Sequence, residues 1–236
     1  MPTVRNGTGA ATQLGVGAWV LAATRIVDTR LIKARLTAFK RAQQVYTAAH
    51  EKVHAAEATL KAAQTQLGAL KPDQDQAVDE LACALVADGQ PRANPFSAFG
   101  PMAPGKLMEL RAADGARAIH QLVAAVQRTK GLSKPTLQAA QTAERKAAAV
   151  ESALTQIEKR RDALREARHT RAAHAQTWAT ALAALKRGAR AAADDGAPNL
   201  YATLFDRPSR PNGKSAKARP APIAPTPPPA TPTAAS

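Results

Sequence analysis

Aromatic side chains make up only 3% of this sequence. A thick aromatic core is therefore excluded. The hydrophobic share is 45%, but alanine carries most of it. Alanine is the best helix former and buries little apolar area per residue. Runs of β-branched residues with a period of two are absent, so no strands are expected. The single cysteine, Cys83, excludes an intrachain disulfide and points to a reducing, cytoplasmic compartment. Long hydrophobic runs are missing too. The longest is LGVGAWVLAA, Leu14 to Ala23, and its ten residues are too few to span a bilayer. Only Arg5 precedes it, so it reads as the start of a long helix rather than the apolar part of a signal peptide. No G-x-x-x-x-G-K-[ST] phosphate loop, no G-x-G-x-x-G and no glycine-flanked nucleophilic serine occurs. Those gaps weaken an enzymatic reading, and no cofactor is implied.

Acidic residues are scarce as well: 18 against 33 basic ones, for a formal net charge of +15. The imbalance is local. Residues 1–70 carry nine basic and three acidic groups, and residues 133–196 carry twelve and seven. Residues 71–132 carry seven of each. A basic surface attracts polyanions, whether nucleic acid, an anionic membrane or an acidic protein.

What is present is helical periodicity. Residues 1–12 read as a flexible start, followed by a first long helix over 13–71 that ends at Pro72. Ile32, Phe39, Tyr46, Val53, Leu60 and Leu67 recur every seven residues, and Ala42, Ala49, Ala56 and Ala63 follow three positions later. This is a coiled-coil seam with an alanine edge, which brings a partner helix unusually close. Val20, Val27 and Leu31 lie on a different stripe, which marks a stutter or bend before Ile32. Residues 133–196 repeat the pattern through Val150, Ile157, Leu164, Trp178 and Leu185, with Ser133 as N-cap and Gly188 or Gly196 as stop. Each long helix would reach about 75–90 Å at 1.5 Å per residue.

Between them, 72–132 reads as a short helical hairpin inserted at the far end of the long one. Its first helix ends at Gly89 and its second at Gly131, with ADG at 113–115 as an interruption. Cys83 reads as part of the first helix's apolar side. Residues 197–206 form a short amphipathic segment. Residues 207–236 contain nine prolines and read as a disordered basic tail.

His50-Glu51-Lys52-Val53-His54 matches the H-E-x-x-H of zinc metalloproteases, a resemblance that covers five residues only. The heptad passes through it unbroken. Val53, Ala49 and Ala56 take the seam, and the histidines fall on its flanks. The pair therefore reads as surface histidines on a structural helix, with no metal site assigned.

The basic groups put forward for polyanion contact are Arg25, Arg30, Lys33, Arg35, Lys40 and Arg41 on the first helix, and Arg165, Arg168 and Arg171 on the second. Arg207, Arg210, Lys214, Lys217 and Arg219 in the tail extend them. If Leu70 faces residue 135, then residue 41 faces residue 164, and both clusters share one end. Against this stands the ordinary reading of charge runs on long helices as solvated, partly self-paired faces. Arg35 and Arg171 occupy seam positions and are expected to snorkel to water. Phe96 and Phe99 are either docking anchors or, preferably, a plug over the short helices. Leu200, Tyr201, Leu204 and Phe205 dock either on a partner or on the chain's own helices.

The sequence thus predicts an all-α protein built on a long antiparallel helical hairpin. The leading functional expectation is a non-enzymatic coiled-coil scaffold that binds itself or another helical or acidic partner, with no transmembrane segment. Sequence-nonspecific nucleic-acid association is the alternative, and a zinc hydrolase is a distant third.

Overall fold

A computed structural model describes residues 9–206. Among them there are six α-helices and no strand: α1 (Ala10–Ala23), α2 (Lys33–Ala87), α3 (Pro104–Met108), α4 (Ala112–Arg128), α5 (Lys134–Asp194) and α6 (Leu200–Phe205). A 3-10 turn at Arg30–Ile32 leads into α2. The helices α2 and α5 pack against each other as a long hairpin, as the two seams predict. Their 55 and 61 residues correspond to rods of about 80 and 90 Å. None of the helices is long and apolar enough to cross a membrane.

The break before Ile32 lies where the seam phase changes, and it separates α1 from α2. Helix α1 begins at Ala10, so residues 10–12, expected to be loose, are helical, and the rest of the expected loose start up to residue 8 lies outside the described residues. Pro72 does not end the first long helix. It sits inside α2, which continues to Ala87. A proline there forfeits one backbone hydrogen bond and crowds the preceding turn, at a cost of about 3 kcal/mol. Tertiary contacts on the far side offset that cost. Lys146 Nζ donates to Asp73 Oδ2 at 2.6 Å, and Lys71 Nζ donates to the Met108 carbonyl at 3.0 Å. Val78, Leu81 and Leu85 are fully buried against α4 and α5.

This continuation shifts the hairpin register. The end of α2 meets the start of α5 directly, where Ser133 N–H donates to Asp88 Oδ2 at 2.9 Å. Gln43 meets Trp178, and Arg41 lies across a groove from Thr177 and Thr180, not opposite residue 164. The inserted segment does not extend the hairpin beyond its end either. Helix α4 lies back along α5, held by His120, whose Nδ1 is 2.7 Å from Glu144 Oε1 and whose Nε2 is 3.3 Å from Glu151 Oε2. Residues 113–115 form the first turn of α4 instead of interrupting a helix, with Asp114 placed where the helix dipole favours an acid.

Gly196 stops α5 as expected, and Gly89, expected to end a separate short helix, stops the long α2 instead. Both have positive φ, and the residue after each donates back into the last turn: Gln90 to Leu85 at 3.0 Å and Ala197 to Ala192 at 2.9 Å.

Burial divides the rod into three parts. One core joins the end of α2 to α4 and the start of α5, around Leu81, Phe96, Ile119 and Val123. A second joins α1, the start of α2, the end of α5 and α6, around Phe39, Tyr46, Trp178 and Leu204. Between them lies a waist of two helices only. No α2 residue is buried between Val53 and Gln74. Half-buried Leu60 shares a shallow groove with Leu164 there, while Leu67 already packs on the first core.

Candidate functional site

The histidine pair sits at the start of the waist, where α2 holds Ala49 and Val53 in the seam against α5. His50 and His54 flank that seam on one side. Their Nε2 atoms are 3.2 Å apart, and the rings meet edge to face. His54 Nδ1 lies 3.6 Å from Glu57 Oε2. Glu57 itself accepts from Arg168 Nη2 at 2.9 Å, which holds its carboxyl below the ordinary carboxylate range. Burial lowers the His50 pKa, and the neighbouring His54 and Arg171 lower it further. Among the described residues, no group of three or more His, Cys, Asp or Glu side chains is arranged to hold a metal ion.

The two basic clusters are not brought together. Arg25, Arg30, Lys33, Arg35, Lys40 and Arg41 lie at the end that carries α1 and α6. Arg165, Arg168 and Arg171 lie at the waist, level with His50 and Glu57. With α2 about four turns longer than the proline suggested, the register moves Arg165, Arg168 and Arg171 away from that end, while Lys186 and Arg190 of α5 stand at it over α6, next to the contact of Gly188 with Arg35. The waist arginines are also largely paired. Arg161 binds Glu158 at 2.5 Å, Arg165 binds Asp162, and Arg168 binds Glu57 across the hairpin. At the other end Arg30 is tied to Asp28 at 2.6 Å. Arg35 reaches water over the backbone of Gly188, where a Cβ would come within 2.4 Å of its guanidinium. This is the snorkelling expected at a seam position, and Gly188 makes room for it. Arg207, Arg210, Lys214, Lys217 and Arg219 lie outside the described residues.

The aromatic segments turn inward. Phe96 is fully buried and Phe99 half-buried, both packed on the first core, so they form a plug. Leu200, Leu204 and Phe205 are buried in the second core. Tyr201 lies under the Arg190 guanidinium, which is 4.7 Å from its ring and donates to its hydroxyl at 3.0 Å. As docking elements these residues are occupied by the chain's own α5. Cys83, read as core, is exposed instead and lies in a shallow groove beside Arg92 and Pro104.

Two features were not legible beforehand. One is the polar node at the second core. Trp178 Nε1 donates to Gln43 Oε1 at 2.6 Å, Gln43 Nε2 donates to the Leu14 carbonyl at 3.2 Å, and Tyr46 donates to Gln13 Oε1 at 2.5 Å. The other is the exposure of Ile26 and Leu31 in the turn before α2. Both depend on which distant segments meet, and spacing along the chain carries no signal of that.

Comparison with known proteins finds no matching family model, no matching curated protein and no matching solved structure. The class that the fold defines is an all-α helical hairpin with a helical insertion.

Proposed function

We propose that this chain is a non-enzymatic coiled-coil scaffold whose waist docks a second helical chain, either another copy of itself or an acidic helical protein. The single observation that supports the reading is the waist. There α2 and α5 run on as a bare pair over a stretch in which α2 buries nothing, while each end carries further helices. A two-helix layer leaves much of its apolar seam half-exposed, and added helices complete such layers. The charged rows along α5 supply the rim of such a contact. Arg160 and Arg161 are exposed, and Leu164 lies beneath them.

The test is lysine cross-linking of the full chain at increasing concentration, alone and in cell extract, read by mass spectrometry with light scattering. Lys52, Lys61 and Lys159 are exposed at the waist. Intermolecular links through them support the reading. A strictly monomeric protein with no links to any partner at these lysines ends it. Nucleic-acid association is the second reading. It rests on the net charge of +15 and on the basic groups of α2 and of the end of α5 that stand at the α6 end.

A further inference from the structure

Helix α1, AATQLGVGAWVLAA, contains no charged side chain. A helix that is apolar around its whole circumference normally lies in a core or in lipid. This one does neither within the described chain. Only Gly17 and Val20 are buried, while Leu14, Val16, Trp19 and Leu21 are half-buried. Its inner side rests on the second core, and its outer side shows Ala11, Thr12, Gly15, Ala18 and Ala22 to solvent.

The same surface continues into the turn that follows. Ile26 is 77% exposed and Leu31 is 56% exposed, the two most exposed large hydrophobic residues among those described. Arg25, Arg30 and Lys33 stand beside them, all exposed. Between Gly9 and His50 the only acid is Asp28, and its carboxylate is already bound by Arg30. On α5 and α6 beside it, the acids Asp194, Asp195 and Asp206 are matched in number by Lys186, Arg187 and Arg190. The end of the rod therefore combines protruding aliphatic side chains, an uncharged helix and a cationic rim.

We propose that this end of the hairpin binds peripherally to an anionic lipid surface. Ile26 and Leu31 enter the boundary between headgroups and acyl chains. Arg25 and Lys33 meet lipid phosphates, and the outer side of α1 lies along the interface. Charge alone would serve a nucleic acid equally well. The exposed aliphatics decide against it, because single strands are held by stacking aromatics and duplexes by cations, and neither uses an isoleucine and a leucine aimed at solvent. This inference is independent of what occupies the waist.

The experiment is co-sedimentation of the full chain with phosphatidylcholine vesicles, with and without phosphatidylglycerol, at low and high salt. Binding is expected only with phosphatidylglycerol, and is expected to weaken as salt rises. Replacing both aliphatics, Ile26→Asp with Leu31→Asp, should weaken it by at least about tenfold. Both positions are exposed, so melting should be unchanged. Brominated acyl chains should quench Trp19, whereas Trp178 is fully buried. Three results would overturn the proposal: no binding to anionic vesicles at low salt, equal binding by the double variant, or a shift of nucleic acid without vesicle binding.

Discussion

Trp178 and Gln43 meet across the hairpin, where the indole N–H donates to the amide oxygen at 2.6 Å in a buried setting. The same amide donates to the Leu14 carbonyl, so one side chain ties α1, α2 and α5 together. Replacing Gln43 with alanine leaves the buried Trp178 indole N–H without its partner and removes the tie to α1, whose Leu14 carbonyl keeps its bond within the helix. Such a loss costs about 1–3 kcal/mol. Urea unfolding followed by tryptophan fluorescence measures it. Gly17 faces the same amide, and a Cβ there would lie 1.9 Å from Gln43 Oε1. Gly17→Ala should therefore destabilise the wild type, and much less so a Gln43→Ala background. Additive effects of the two substitutions would refute the contact.

Pro72 offers a change in the opposite direction. It sits in mid-helix without a donor for the preceding turn, and the surrounding contacts hold the helix regardless. Pro72→Ala restores the hydrogen bond and should raise stability by roughly 1–3 kcal/mol. Thermal melting reads the gain. An unchanged or lower melting temperature would mean that α2 depends on the proline in a way the helix does not show.

Gln74, two residues on, is 1% exposed, and neither polar atom of its side chain has a partner among the described residues. Burying an amide without hydrogen bonds is unfavourable, and an apolar residue of similar size removes the penalty. Gln74→Leu should stabilise the chain by about 1 kcal/mol. Denaturant midpoints compared at constant slope decide the matter.

Two pH steps follow from the titrating groups. His50 has a folded pKa below its ordinary value of about 6.5. Between those values the unfolded chain binds more protons than the folded one, so stability falls as pH drops below about 6.5. Asp88 is held low by the Ser133 N–H and by the hydroxyls of Thr136 and Ser133. Its contribution is present above about pH 4 and is lost as pH falls through its folded value. Glu57, lowered by Arg168, acts in the same acidic window. Urea midpoints measured from pH 8 to pH 3 should show both steps. His50→Gln should remove the upper one, and Asp88→Asn should diminish the lower one.

The sequence by itself determined the all-α class, the two long helices, the break before Ile32 and the glycine stops. These are local properties. Alanine content, seven-residue spacing and a glycine at positive φ act within a few turns of the chain. The inward turn of Phe96 and the snorkelling of Arg35 were legible for the same reason: apolar supply was short, and a charge at a seam must reach water. Only the tertiary structure decided the fate of Pro72. The proline's local preference lost to Val78, Leu81 and Leu85 finding a core and to Lys146 meeting Asp73. That outcome set the hairpin register, and the register separated the basic clusters and seated Trp178 on Gln43. Which residues stand opposite each other depends on where a helix ends, and here packing among distant segments fixed that end.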